Sequence, residues 1–105
     1  MLMSPEDSVA DTAVRLFGDP LRSRIVRLLA TEPMCTCHLI EQTAARQTTV
    51  SHHLRLLREA GLVETEPRGR YTYYRLRAEA IAELADGLRD LADQAADARD
   101  HYRPC

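Results

Sequence analysis

The chain has 105 residues, 45% of them hydrophobic, with no Trp and only five Phe or Tyr. That length supports one compact domain with one core, and the apolar share argues against disorder throughout. A net charge of −2 argues against a generally cationic nucleic-acid binder, and the apolar runs are far too short to span a bilayer.

The charge is unevenly spread, and every basic residue is Arg. Residues 44–77 hold seven Arg against three acids, whereas residues 78–105 hold three Arg against seven acids. A basic middle block therefore argues locally for nucleic acid. The N-terminal MLMSPEDSV has no basic region followed by an apolar one, so no signal peptide is expected and the cytoplasm is the default location. Three Cys (Cys35, Cys37 and Cys105) do not suit a disulfide framework, and reduced thiols serving as ligands or redox groups are expected.

A first helix is predicted over residues 5–18. Ser4 can cap it, Pro5 suits its first turn, and Glu6 and Asp7 favour its positive end. Val9, Ala13, Leu16 and Phe17 form its apolar side, and Gly18 ends it. Asp19-Pro20 then opens a second helix, with Asp19 as cap and Pro20 at the first helical position. Leu21, Ile25, Leu28 and Leu29 are its core stripe. A third helix starts around Cys35–Leu39 and runs to about Ala45, with Leu39 and Ile40 inward.

A tight connection at Ala45–Gln47 leads to TTVSHHLRLLREAGLV, residues 48–63. Val50, Leu54 and Leu57 share one stripe, while Thr48, Ser51, His52 and Arg55 lie opposite, with no acid before Glu59. Hydroxyls, imidazole and guanidinium on one face suit the floor of a DNA major groove. Taken alone, the face could equally be an ordinary solvated surface. His53 lies at the edge of the core stripe and reads as structural. Two short helices in this arrangement make a helix-turn-helix, and Gly61 ends the second as a left-handed cap.

Val63–Glu66 and Tyr71–Leu76 are strand candidates, with Pro67-Arg68-Gly69-Arg70 as the turn between them. This hairpin carries Arg68 and Arg70 at its tip and reads as a wing beside the recognition helix, or as a bland exposed turn. The last helix is predicted over residues 78–100, with Ile81, Leu84, Leu88, Leu91 and Ala95 on one side and acids on the other. Some 23 residues make a rod of about 35 Å, longer than a small winged-helix core can cover. The uncovered stripe implies a dimer, aided by the first helix, and a dimer suits a two-fold DNA site.

Cys35-Thr36-Cys37-His38 stands at the start of the third helix. In a regular helix residues i and i+2 point about 200° apart, so two such thiolates grip one ion only if that turn is extended or frayed. A soft ion held by both would distort the first helix of the helix-turn-helix. The helix N-terminus favours thiolate, and thiolates select soft metals and metalloids. Two small buried Cys are the plain alternative. Cys105 is either a third sulfur, completing a pyramidal trivalent site, or a free terminal thiol. His38 could ligate too, but it reads rather as a solvated or capping residue, and His101 as a solvated tail residue.

The helix order, Cys35-Thr36-Cys37-His38-Leu39, the recognition string and the wing PRGRYTYYRL together resemble the ArsR/SmtB family of winged-helix metal-sensing repressors, over about residues 10–97. The resemblance implies a homodimeric repressor that leaves its operator when a metal or metalloid binds. The C-x-C is similar to that of the arsenite, antimonite and cadmium/lead branch. By the same likeness Gln47, Thr49, Ser51 and His52 map onto operator-contacting positions. Arg46 stands where the family often has a capping Ser, which implies a phosphate contact. Arsenite sensors of the best-known type carry a further Cys where this chain has Ile40, and cadmium and lead sensors add N-terminal Cys that this chain lacks. The zinc and cobalt branch places Asp and His ligands on the last helix. Here that helix offers Asp86, Asp90, Asp93, Asp97 and Asp100, with only His101 near its end, and these acids read as a solvated face.

The expectation is a single domain over residues 1–105, mainly α with a small β-hairpin. It is a winged helix-turn-helix (residues 36–60, wing 62–77) dimerising through helices 5–18 and 78–100. Its expected role is a repressor of two-fold operator DNA, released by As(III) or Sb(III) at Cys35, Cys37 and Cys105. Cd(II) or Pb(II) as inducer, or a Cys35–Cys37 redox switch, are the rivals. Arg46, Gln47, Thr48, Thr49, Ser51, His52, Arg55, Arg68 and Arg70 are the candidate DNA contacts. No catalytic triad, phosphate loop or nucleotide motif is visible, so no enzyme and no organic cofactor are expected.

Overall fold

A computed structural model describes residues 9–105. Five helices and three strands follow one another: α1 (Val9–Phe17), α2 (Pro20–Thr31), β1 (Met34–Cys35), α3 (Thr36–Thr43), α4 (Gln47–Glu59), β2 (Val63–Arg68), β3 (Tyr71–Leu76) and α5 (Ala78–Asp97). The architecture is mostly helical with a small antiparallel sheet in the order β1-β3-β2. The capping expected of Ser4, Pro5, Glu6 and Asp7 lies outside the described residues. No described helix is long and apolar enough to cross a membrane.

The local signals at helix ends act as expected. Asp19 Oδ1 accepts from the Arg22 backbone N–H at 2.9 Å, with Pro20 in the first turn of α2. At the end of α4, Gly61 takes φ +79°. Its N–H donates to the Arg58 carbonyl at 3.0 Å, and the Leu62 N–H to that of Leu57 at 2.9 Å. This pair of bonds satisfies the last carbonyls of the helix and turns the chain into β2.

Ile25, Leu39, Val50, Leu54, Leu57 and Leu62 are the largest fully buried side chains. They bring α2, α3, α4 and the start of the wing onto one core. On α2 the buried set is Ile25, Val26 and Leu29, while Leu21 and Leu28 are only half-buried. The helix is thus rotated slightly from the expected stripe.

Three boundaries around the helix-turn-helix and the wing differ from expectation. Cys35 does not open α3. It ends β1, with Met34 opposite Tyr74 and Cys35 opposite Tyr73 on β3. The hairpin loop is only Gly69-Arg70, because Arg68 pairs with Tyr71 and Pro67 with Thr72. Pro67 is tolerated within a strand because β2 is an edge. Helix α3 stops at Thr43, where Ala44 turns left-handed at φ 59° and donates its N–H to the Ile40 carbonyl at 2.8 Å. That bend aims α4 away from α3.

The molecule measures 60 × 25 × 24 Å, and α5, at 20 residues, is its longest helix. Leu84 is the last buried residue of that helix. Helix α1 lies against it so closely that a Cβ on Gly87 would meet Val9 Cγ1 at 2.6 Å. The helix ends at Asp97 and not at residue 100, and residues beyond it are exposed.

Candidate nucleic-acid interface and thiol centre

Burying Val50, His53, Leu54 and Leu57 forces the other side of α4 outward. Gln47, Thr48, Ser51, His52 and Arg55 line one shallow recess on that side, and Thr49 is exposed beside them. Arg55 Nη2 lies 3.2 Å from His52 Nδ1, which can accept from it when the imidazole is neutral. Arg46 precedes the helix in extended conformation and makes no side-chain capping bond, so its exposed guanidinium is not used to hold the helix end. A face of hydroxyls, amide, imidazole and guanidinium with no acid can donate to phosphates and meet base edges.

His53 belongs to the scaffold behind this face. It is 7% exposed. Arg22 Nε donates to its Nδ1 at 3.3 Å, which leaves the ring proton on Nε2, 3.7 Å from Asp19 Oδ1. Burial holds the His53 pKa below that of an ordinary histidine, against the opposing pull of Asp19. The backbone N–H of Arg22 is the main cause that holds the Asp19 carboxyl below its usual range. The pair therefore pins α4 to the start of α2 with a neutral imidazole.

The wing presents Arg70 in its two-residue turn, exposed, with Gly69 at φ +64°. Arg68, expected in the turn, is the last residue of β2, and its Nε donates to Glu66 Oε2 at 3.1 Å. Arg75 also pairs with Glu66, and these two Arg hold the Glu66 carboxyl below its usual range, Arg75 first. Arg68 stays exposed at the tip but partly neutralised. Arg77, which the sequence did not single out, ties wing to recognition helix: its Nη1 donates to the Gly61 carbonyl at 2.7 Å and its N–H to that of Leu62 at 2.8 Å.

The second constellation sits at the other end of the helix-turn-helix. The backbone of Cys35 is extended, at φ −83° and ψ 166°, just before α3. This cancels the divergence that two helical residues at this spacing would have. The sulfurs of buried Cys35 and exposed Cys37 meet as a disulfide, their Cα atoms 5.5 Å apart. The expected free thiols are thus joined here, because the strand-to-helix junction points both Cβ atoms the same way. His38 Nδ1 is 3.4 Å from Cys35 Sγ. The donor atoms of Cys35, Cys37 and His38 all lie within 4.8 Å of one another. Once reduced, the two sulfurs offer soft thiolate donors beside an imidazole nitrogen. His38 is exposed, as expected of a solvated residue, and it also makes this contact, which the Cys35–His38 spacing of three residues could have signalled. Cys105 is exposed in the C-terminal tail and is not among these grouped donors. His101 is exposed, as are the acids of α5.

Comparison with known proteins gives this geometry a family. Residues 19–65, from the Asp19 cap to the start of the wing, match the family model described as "Bacterial regulatory protein, arsR family". An HTH-type transcriptional regulator of Methanocaldococcus jannaschii is 38% identical over 78 residues, covering 70% of this chain and 88% of the relative. The arsenical resistance operon repressor of Staphylococcus xylosus is 35% identical over 77 residues, covering 73% of this chain and 74% of that one. Among solved structures, a homodimeric winged helix-turn-helix DNA-binding domain from Mycobacterium bovis, titled a possible ArsR-family regulator, superposes with a TM-score of 0.61. It is 25% identical and covers 96% of this chain and 100% of its own. The chain therefore belongs to the arsR family of bacterial regulatory proteins: it is a helix-turn-helix DNA-binding transcriptional regulator and not an enzyme.

Proposed function

We propose that the protein is a homodimeric repressor that holds a two-fold operator and lets it go when As(III) or Sb(III) is captured by its thiolates. The observation that carries this reading is the convergence of Cys35 and Cys37 sulfurs at the junction between β1 and the first helix of the helix-turn-helix. An ion there pulls on the element that positions α4. The name of the Staphylococcus xylosus relative supports an arsenical inducer. The homodimeric neighbour supports a dimer, as do the exposed Leu88 and Leu91 on α5. A trivalent pyramidal ion wants a third sulfur, and Cys105, from its own or the partner chain, is the thiol left to supply it. Arg46, just before α4, and Gln47, Thr48, Thr49, Ser51, His52 and Arg55 on it read the operator, with Arg68 and Arg70 on the flanking backbone.

A coupling of about 3 kcal/mol between the two sites changes operator affinity roughly 150-fold. The test is arsenite titration of the reduced protein on operator DNA. Release by wild type, and none by the Cys35→Ser/Cys37→Ser double variant, is the expected result. Release by that double variant defeats the site assignment. Weaker release by Cys105→Ala makes Cys105 the third sulfur, and unchanged release makes the site one of two sulfurs.

The Cys35–Cys37 disulfide favours a second reading, a redox switch. Two thiols there lose two protons and two electrons to an oxidant such as a hydroperoxide, which is itself reduced to alcohol and water. Operator release by peroxide alone, reversed by a thiol reductant and absent with arsenite under anaerobic conditions, selects this reading over the first.

A further inference from the structure

The basic block of residues 44–77 holds three acids, Glu59, Glu64 and Glu66, and two of them stand on the wing. We propose that Glu66 is an affinity-setting residue of the DNA interface: its carboxylate takes the place of a DNA phosphate on Arg68 and so restrains sequence-independent binding by the wing. The inference rests on the reading above only in placing the wing tip on the DNA backbone.

The strand register puts these charges on one surface. Alternate residues of a strand point to opposite sides. Val63 is buried, and Tyr74 and Leu76 pack against the core. Glu64, Glu66 and Arg68 therefore face the other way on β2, with Tyr71, Tyr73 and Arg75 beside them on β3. Glu66 is half-buried there and Arg68 exposed.

Both oxygens of Glu66 are taken, and by different arginines. Arg68 Nε donates to Oε2 at 3.1 Å, and Arg75 Nη2 donates to Oε1. Arg75 has a second acid, Glu64, whose Oε1 lies 3.9 Å from its Nη1. Among the described residues Arg68 pairs with Glu66 alone. The guanidiniums, that of Arg75 first, hold the Glu66 carboxyl below its usual range, so it stays ionised at neutral pH.

A carboxylate and a phosphate compete for the same guanidinium donors. If Arg68 stays on Glu66, it neutralises no phosphate. If it exchanges Glu66 for a phosphate, a bare carboxylate is left beside the backbone, and the net charge delivered is again nil. The wing tip thus brings to DNA the charge of Arg70 and not that of Arg68. A surface ion pair adds little to stability, and the hairpin is held by six residue pairs, so its fold does not depend on Glu66.

The experiment measures binding of a fluorescent duplex of random sequence to the reduced full chain across a salt series. Wild type is compared with Glu66→Gln, Arg68→Ala, Arg70→Ala and the Glu66→Gln/Arg68→Ala double variant. Glu66→Gln leaves Arg75 to Glu64 and frees Arg68 for one more phosphate per subunit. The plot of log affinity against log salt is expected to steepen by about 0.9 per subunit, or about 1.8 for a dimer. Between about 50 and 200 mM salt the variant then loses about twelvefold more affinity than wild type, from a tighter start at low salt. Adding Arg68→Ala is expected to abolish the gain. A merely structural Glu66 gives no tighter binding and no steeper slope. If Arg70→Ala weakens binding, then affinity and slope unchanged or lowered in Glu66→Gln, or a gain that survives Arg68→Ala, overturns the proposal alone. If Arg70→Ala has no effect, the wing tip is not on the backbone, and that placement and the proposal fall together.

Discussion

The exposed leucines of α5 give a dimer prediction that can be worked through. Leu88 is 40% exposed and Leu91 48%, both beyond Leu84, the last residue of α5 that this chain buries for itself. Full burial of a Leu side chain contributes about 1.5–3 kcal/mol, so the half still exposed is worth about 1 kcal/mol per residue. A two-fold interface uses each residue twice, so the two leucines contribute about 4 kcal/mol to the dimer, or about a thousandfold in dissociation constant. Replacing both by Ser removes most of that. Sedimentation equilibrium across a dilution series is the assay, with thermal unfolding as control. The Leu88→Ser/Leu91→Ser variant is expected to dissociate at far higher concentration than wild type while keeping its helical content. A variant that associates like wild type, or a wild type that stays monomeric at high concentration, refutes the argument that this stripe is the interface.

Three other outcomes are expected. Arg70→Ala should weaken operator and random DNA by the same factor and lower the salt slope by about one per subunit, because on the proposed reading it removes a phosphate contact; altered base preference would place Arg70 in a groove. Burial lowers the His53 pKa, so below the ordinary histidine pKa of 6.5 the unfolded chain binds the proton more readily than the folded one. Stability should therefore fall as pH drops through that value, by at most about 1.4 kcal/mol per pH unit for one group, and urea unfolding of His53→Gln should show a flatter dependence. Gly61→Val should lose about 1–2 kcal/mol in the same assay, since a β-branched residue resists the left-handed turn that Gly61 occupies at φ +79°; an unchanged midpoint would mean that the α4 terminus relaxes into another cap.

What could be read from the sequence is what neighbouring residues decide. Asp19-Pro20, Gly61 and the buried side of α4 are set within a turn or two of helix, and each stands where the pattern puts it. The misreadings are all non-local. Strand β1 is two residues long, too short to show alternation, and exists because Tyr73 and Tyr74 reach it from some forty positions away. The narrow hairpin turn follows from the register of all six pairs in β2 and β3, not from the residues of the turn. Gly87 has no signal of its own; its meaning is Val9, on another helix.

The extended Cys35 changes what ligand binding can move. Were it helical, an ion would act on α3 alone. As the last residue of β1 it pairs with Tyr73, and β3 is the central strand of the sheet and one arm of the wing. The other end of β3 leads to Arg77, whose guanidinium and backbone bond the residues closing α4. On the proposed reading, an ion held by Cys35 and Cys37 would therefore pull on both flanks of the recognition helix: on α3 through the chain, and on the wing through one pair of strands. The recognition helix and the wing are both joined to the same two residues over a short covalent and hydrogen-bonded path. A site carried only by the exposed tail at Cys105 has no such connection, so on the proposed reading that thiol would complete the coordination of the ion without transmitting it.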